Sequence, residues 1–134
     1  MTSHPIEALI KAADSAISSE NFDALMNFFA DDAMLVVKPG LNAVGKEQIK
    51  KAFVAIAEHF KNKLVVKQGK MIVLEGADTA LVLMETVLEV PGEQDTNEII
   101  RKATYVFRKD GDGHWLCTVD NSYGTELLAQ SGAA

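Results

Sequence analysis

Hydrophobic residues in the first half of the chain recur at intervals of three and four, the spacing that places them on one face of an α-helix. Pro5 suits a first helical turn, because its missing N–H needs no partner there, and Asn21 is a candidate N-cap for a second helix. The three apolar stripes, one for each predicted helix, are Ile6, Leu9, Ile10, Ala13 and Ile17; Phe22, Leu25, Met26, Phe28 and Phe29; and Ile49, Phe53, Ile56 and Phe60. The second helix is expected to end near Asp31 and Asp32.

The second half of the chain is rich in β-branched and aromatic residues, and turn signals divide it into strands. A short strand is predicted from Met34 to Val37, before the turn residues Pro39 and Gly40. The longer predicted strands are 65–74, 79–90, 98–108 and 114–122. Strands joined by short turns form an antiparallel meander. Helices followed by strands indicate a single α+β domain over residues 1–134, with the helices gathered on one face of the sheet.

Charge and cysteine content restrict the possible partners and compartment. The formal net charge is −6 and the 13 Lys and Arg residues are scattered, which argues against nucleic acid and against an anionic membrane as partners. Cys117 is the only cysteine, so no internal disulfide is possible and a reducing compartment is indicated. The chain shows neither a signal-peptide pattern nor an apolar run near the ~20 residues of a membrane helix. We therefore expect a soluble, cytoplasmic protein.

Four short motifs follow one another along the chain: residues 21–33, which end in Ala30-Asp31-Asp32-Ala33; Pro39-Gly40; residues 45–49; and residues 104–111 with Trp115. In this order they resemble the ketosteroid isomerase-like, SnoaL-like (nuclear transport factor 2-like) superfamily over essentially the whole chain. The resemblance implies a cone-shaped, curved antiparallel sheet wrapped around a long N-terminal helix. It further implies three helices on the concave side, as in a cystatin-like roll, and a pocket at the open end.

The resemblance also identifies the positions at which steroid isomerases of this superfamily carry their chemistry. Their general base, six residues after the first Asp of the Ala-Asp-Asp-Ala motif, corresponds to Val37, which has no proton to move. Their oxyanion-donating tyrosine corresponds to Ala13 in an ungapped alignment, and their second donor corresponds to Tyr105. Because Tyr105 alone retains a hydrogen-bond donor, steroid isomerisation is not expected.

Polar side chains remain on the last two predicted strands, where residues two apart share a face. Matching the strand ends of the superfamily places Arg101, Tyr105 and Phe107 on the concave side. It places Leu116, Thr118, Asp120 and Ser122 there as well. SnoaL-like polyketide cyclases have a catalytic Asp on a late strand, so by resemblance Asp120 is the candidate base and Tyr105 the candidate donor. The candidate ligand-contact residues are Val37, Ala13, Phe53, Arg101, Phe107, Thr118 and Ser122.

The candidate polar residues also have structural interpretations. Asp120, followed by Asn121 and Ser122, is typical of a turn in which the carboxylate caps nearby N–H groups. Tyr105 is also consistent with a core aromatic whose hydroxyl is satisfied, and Arg101 is consistent with an exposed strand position or with an anion-binding position in the pocket. The sequence leaves these alternatives open.

Metal and cofactor motifs are not evident. The histidines His4, His59 and His114 lack the spacing of metal ligands, and residues 110–113 are typical of a hairpin turn rather than a calcium loop. Cys117 lies in an apolar strand with no neighbouring His, which indicates a buried, inert thiol. The chain has no Gly-rich phosphate-binding loop. We expect neither a metal nor a cofactor.

Two functional hypotheses follow. The first is a protein whose pocket binds a small, mostly apolar molecule and transforms it by general acid–base chemistry with Asp120 and Tyr105. The second is a non-catalytic binding or assembly module with a vestigial pocket. A homodimer is expected in both cases, because one face of the sheet should carry exposed Val, Leu and Met side chains.

Overall fold

The computed structural model describes residues 4–92 and 96–130. Its helices are α1 (Pro5–Ser18), α2 (Phe22–Leu25), a 3₁₀ turn (Met26–Phe28), α3 (Lys46–His59) and α4 (Glu126–Gln130). Its strands are β1 (Phe29–Lys38), β2 (Leu41–Val44), β3 (Val65–Gly76), β4 (Thr79–Pro91), β5 (Thr96–Lys109) and β6 (Trp115–Asn121). Within these residues, the helices are too short or too polar to cross a membrane.

The six strands form one curved sheet in the order β2-β1-β6-β5-β4-β3. Strands β3 to β6 form the antiparallel meander that the turn signals predict. The pairing of β1 with β6 is parallel, with Leu35 opposite Asp120, and β2 forms a hairpin with β1 that the sequence did not indicate. The α+β class and the cystatin-like architecture are confirmed, with this parallel pair as an addition.

The second helix is shorter than predicted. It begins after the expected N-cap Asn21, whose side-chain oxygen accepts a hydrogen bond from the Ala24 N–H, but it ends at Leu25 rather than near Asp31. Residues 30–33 belong to β1, where the two alanines are buried and the two aspartates are exposed. Asp31 pairs with Lys46 at 3.4 Å and Asp32 with Arg108 at 3.2 Å, so both carboxylates bind surface cations instead of capping a helix.

The core lies between the concave face of the sheet and the helices α1 and α3. Its largest fully buried side chains are Ile6, Ile10, Leu25, Phe29, Ile49, Val82, Phe107 and Cys117. The Phe28 ring meets the rings of Phe29 and Phe107 edge-on, with centroids 5.1 and 5.4 Å away, an arrangement favoured by the aromatic quadrupole. Burial of each such ring stabilises the fold by about 1.5–3 kcal/mol.

A β-bulge in β6 changes which of its residues face the concave side. Val106 pairs with Val119 and Phe107 pairs with Cys117, so Thr118 is an extra residue between two regular pairs. The expectation that Thr118 and Leu116 share a face with Asp120 is therefore wrong, because it assumed unbroken alternation. Asp120 faces the concave side through its pairing with Tyr105.

The turn after β6 is fixed by Asn121 and Gly124. The side-chain oxygen of Asn121 accepts hydrogen bonds from the N–H groups of Tyr123 and Gly124, both at 3.1 Å. Gly124 has φ of +57°, and a Cβ added there would lie 2.1 Å from the carbonyl oxygen of Lys102. Only glycine fits both the backbone conformation and the contact.

Replacement of Gly124 by alanine is therefore expected to lower the free energy of unfolding by about 2–4 kcal/mol. Urea unfolding measures the change. Gly76→Ala is the matched control, because a Cβ at Gly76 would meet no atom within 4 Å, and it should change stability by less than about 0.5 kcal/mol. Equal effects of the two substitutions would contradict this account of the turn.

Candidate functional site

A cavity of about 530 Å³ lies between α1, α3 and the concave face of the sheet. This volume is in the range of small-molecule sites. Most of its wall is apolar, with contributions from Ile17, Leu35, Val37, Phe53, Ile56 and Leu88. An apolar ligand would gain stability there by displacing water from these side chains.

Four buried polar side chains also line this cavity. Tyr105 of β5 and Asp120 of β6 are direct cross-strand partners, Thr86 lies on β4, and Asp14 lies in the C-terminal half of α1. Asp14 is 6 % exposed and Asp120 is 8 % exposed, which is unusual for carboxyl groups. The fold therefore brings two carboxyls and a phenol into one low-dielectric region. We call these four residues the buried polar cluster.

Asp120 does not act as the cap of its own turn, because Asn121 fills that role. Burial raises the pKa of Asp120 from 3.8 to about 7, and the nearby charge of Asp14 contributes in the same direction. Within the described ranges, no hydrogen bond to the Asp120 carboxyl offsets this shift. Its carboxyl group is thus a base whose ionisation falls near neutral pH.

Asp14 is a second carboxyl that the sequence analysis did not single out. Burial raises the pKa of Asp14 to about 7, and its Oδ2 has no hydrogen-bond partner among the described residues. The available signal was its place in the first apolar stripe, four residues after Ile10 and three before Ile17. A charged residue on the buried face of an amphipathic helix departs from the apolar pattern of that face, and such departures are expected at functional sites.

Tyr105 supplies a hydrogen-bond donor beside these carboxyls. Burial, followed by the charges of Asp120 and Asp14, raises the pKa of Tyr105 well above its usual value. The phenol therefore keeps its proton at neutral pH and can donate it in a hydrogen bond. A base, a donor and a second titratable carboxyl are the components of acid–base chemistry on a carbonyl compound.

The other residues proposed from the sequence divide into two groups. Val37, Phe53, Arg101 and Ser122 line the cavity together with Asp120 and Tyr105. Ala13, Phe107 and Thr118 do not line it. Ala13 packs in the core beside Asp14, Phe107 belongs to the aromatic cluster, and Thr118 is the extra residue of the bulge.

The cavity is also lined by the basic side chains of Lys38, His59 and Arg101. The Arg101 guanidinium lies over the ring of Tyr123, with its carbon 4.4 Å from the ring centroid. The Tyr123 hydroxyl donates a hydrogen bond to the carbonyl oxygen of Val37 at 3.4 Å. Arg101 is therefore a half-buried cavity residue, and the exposed alternative for it does not apply.

One exposed group of potential metal ligands lies outside the cavity, at Asp110, Asp112 and His114, whose ligand atoms are within 4.8 Å of one another. The Oδ1 atom of Asp110 accepts backbone hydrogen bonds from Asp112 at 2.9 Å and from His114 at 3.0 Å. These bonds make the group a hairpin turn, as its sequence predicts.

Comparison with known proteins places this fold in a family. The model of the SnoaL-like domain family matches residues 6–123. A search of curated proteins gave no match.

Solved structures agree in fold. An NTF2-like protein with a cystatin-like fold from Novosphingobium aromaticivorans has a TM-score of 0.78 at 16 % identity, covering 96 % of this chain and 87 % of its own. Aln2 from a Streptomyces species has a TM-score of 0.79 at 13 % identity, covering 98 % and 99 %. ActVI-ORFA from Streptomyces coelicolor has a TM-score of 0.76 at 11 % identity, covering 86 % and 91 %. The resemblance inferred from the motifs is confirmed: the chain belongs to the SnoaL-like domain family.

Proposed function

We propose that this protein is an acid–base enzyme that moves a proton on a small, mostly apolar molecule held in the cavity, with Asp120 as the general base. The observation that carries the proposal is the buried Asp120 carboxyl on the cavity wall, whose pKa of about 7 is set by burial and by Asp14. A base with a pKa near the working pH combines a useful ionised fraction with sufficient basicity. A resting carboxylate of pKa near 4 would be a weaker base.

The roles of the cluster follow from its geometry. Ionised Asp120 takes a proton from a carbon atom of the ligand, and the electron pair of that C–H bond moves onto the adjacent carbonyl oxygen. Tyr105 donates a hydrogen bond to this oxygen as it becomes negative. Return of the proton from Asp120 to another carbon atom completes an isomerisation. In a ring closure, the carbanion instead attacks a second carbonyl carbon of the same molecule, and Asp120 returns its proton to the alkoxide that forms; neither reaction changes the redox state.

Asp14 acts on Asp120 through charge. Two carboxyls in one low-dielectric region do not ionise independently, and the pair loses its protons in two separate steps. Burial is the larger cause of the raised Asp120 pKa, and the charge of Asp14 adds to it. Asp14 is therefore a positioning residue that acts on the proton affinity of Asp120.

The convex face of the sheet supports the second hypothesis, an association module. Ile72, Leu74, Leu81, Leu83 and Ile100 are between 38 % and 57 % exposed there. Ile72 pairs with Leu83 and Leu74 pairs with Leu81 across the strands, so these four side chains form one apolar surface, and Ile100 lies on the same face beyond Glu85 and Lys102. We propose that two copies of the chain pair through this surface. We also propose a cytoplasmic location, where the single Cys117 thiol would stay reduced. The convex surface and the cavity lie on opposite faces, so a dimer is compatible with catalysis.

Light scattering at micromolar concentration is expected to give about twice the 14.5 kDa of one chain. The double substitution Leu81→Lys with Leu83→Lys should yield monomers, because it places charges in the apolar interface. Val54→Lys is the matched control, since Val54 is an exposed apolar residue on α3 rather than on the sheet. A monomeric wild-type protein would refute the pairing.

Proton abstraction can be measured without the natural substrate. A panel of cyclic ketones and β-dicarbonyl compounds is incubated with the protein in deuterium oxide, and deuterium incorporation at carbon is followed by mass spectrometry. Asp120→Asn should lower the rate by roughly 10² to 10⁴, and Tyr105→Phe should lower it less. The exposed Asp31→Asn should leave the rate unchanged. Exchange that survives Asp120→Asn would remove Asp120 from the mechanism.

The buried carboxyls are also expected to lower stability, as functional groups often do. Their pKa values are raised on folding from 3.8 to about 7, so the folded chain holds protons that the unfolded chain releases. The free energy of unfolding therefore falls as the pH rises from about 4 to about 7 and is level above that range.

Asp120→Asn or Asp14→Asn should thus stabilise the protein at about pH 8, by about 2–4 kcal/mol, and by much less at about pH 4. Urea unfolding at both pH values provides the test. Asp110→Asn is the control with the opposite sign, because hydrogen bonds from the backbone of His114 and Asp112 lower the pKa of Asp110. It should destabilise the protein at about pH 8, and that effect should fade in acid. A loss of stability for Asp120→Asn at about pH 8 would contradict the assignment.

A further inference from the structure

We propose that Arg101 and Tyr123 form a binding site for an anionic group of the ligand, so that the substrate is an apolar molecule with a carboxylate or comparable anion at one end. This inference rests on the proposed function in that it names the ligand class of the same cavity. The buried polar cluster would act on the other end of the molecule.

The position of Arg101 directs its charge into the cavity. Arg101 lies on the concave side of β5, directly opposite Thr86 of β4, and it is half-buried. Within residues 4–92 and 96–130, the ion pairs do not include Arg101. A partly desolvated guanidinium without a counter-ion gains free energy when an anion binds to it.

The Arg101 side chain is held in place before any ligand arrives. Its guanidinium carbon lies 4.4 Å from the centroid of the Tyr123 ring, a cation–π contact that restricts the side chain. Tyr123 is itself fixed by its hydroxyl bond to the Val37 carbonyl and by its N–H bond to Asn121. A planar, pre-positioned guanidinium binds a carboxylate or sulfonate through two parallel hydrogen bonds.

The carboxyls of the cluster do not serve as the counter-ion. Arg101 lies four residues from Tyr105 along β5, which corresponds to about 13 Å at ~3.3 Å per residue. Tyr105 is the direct partner of Asp120, so the backbone of Asp120 lies at a similar distance, and the ion pairs among the described residues do not join Arg101 to either carboxyl. Consistently, the pKa of Asp120 is raised, whereas a guanidinium partner would lower it.

Two more basic side chains strengthen the site. Lys38 and His59 line the same cavity, and among the described residues neither takes part in an ion pair. Lys38 adds positive potential to the cavity in a chain whose net charge is −6, and His59 adds a ring nitrogen that can bind an anion through a hydrogen bond. This local field favours an anionic ligand and orients it with its charged end at Arg101 and its apolar body toward Asp120.

Two fluorescent probes test the anion site by direct binding. Anilinonaphthalene sulfonate is an apolar anion, and N-phenyl-naphthylamine has the same ring system without the sulfonate. The wild-type protein should bind the sulfonate more tightly. Arg101→Gln should weaken sulfonate binding about 10- to 100-fold, as expected for a charged hydrogen-bonded contact, and change the affinity of the neutral amine less than about twofold.

Two further variants make the result specific. Lys102→Gln removes the same charge from the next residue of β5, which is exposed on the other face of the sheet, and should leave both affinities unchanged. Arg101→Lys keeps the charge without the planar fork and should weaken the sulfonate less than Arg101→Gln does. Circular dichroism confirms that each variant is folded.

The proposal is overturned if the wild-type protein shows no preference for the sulfonate, if Arg101→Gln weakens both probes equally, or if Lys102→Gln weakens the sulfonate as much. Asp120→Asn separates this proposal from the proposed function, because it should leave sulfonate affinity unchanged or slightly higher. If the exchange experiment disproves catalysis by Asp120 but the wild-type protein still prefers the sulfonate, the anion site remains supported. An active enzyme without that preference would refute the anion site alone.

Discussion

The pairing of β5 with β6 decides which side chains reach the cavity. Cys117 faces the core opposite Phe107, and with regular alternation Asp120, three residues later, would face away from it. The extra residue Thr118 reverses the alternation and turns Asp120 inward, opposite Tyr105. The place of Asp120 in the buried polar cluster, and its charge beside Tyr105, depend on this one-residue bulge. The next turn, fixed by Asn121 and Gly124, then places Tyr123 beneath Arg101.

Inside the cavity, charge is separated along the length of the site. The carboxyls Asp14 and Asp120 share the buried end, where desolvation favours their neutral forms. Among the described residues, Arg101 forms no ion pair with them. The low dielectric that makes the carboxyls basic also strengthens any contact between Arg101 and an anion. Under the proposed function, the same wall of β-strands both positions the ligand and reacts with it.

The sequence predicts more of the fold than of the candidate site. The four long strands were predicted to within two residues at each end, because Gly, Pro and Asp mark the turns between them. Helix α2 was overextended, since the assignment of residues 30–33 to β1 depends on the neighbouring strands and not on local pattern. The bulge at Thr118 likewise depends on strand pairing. Asp14 was missed because the stripe of the first helix was defined by its apolar members alone, although the position of Asp14 within that stripe indicated burial.

By the resemblance, Val37 and Ala13 occupy the positions of the base and the tyrosine of steroid isomerases. Each of these two positions lies near one of the two buried carboxyls, Asp120 and Asp14. Val37 lies on β1 two residues beyond Leu35, the parallel partner of Asp120, so Asp120 belongs to the neighbouring strand of the same wall. Ala13 immediately precedes Asp14 on α1, and both Asp14 and Asp120 line the cavity. The two carboxyls of the proposed acid–base site therefore lie beside, and not at, the positions that the resemblance assigns to steroid isomerases. Under the proposed function, a second carboxyl beside the base raises the pKa of that base, a contribution that an oxyanion-donating tyrosine would not make.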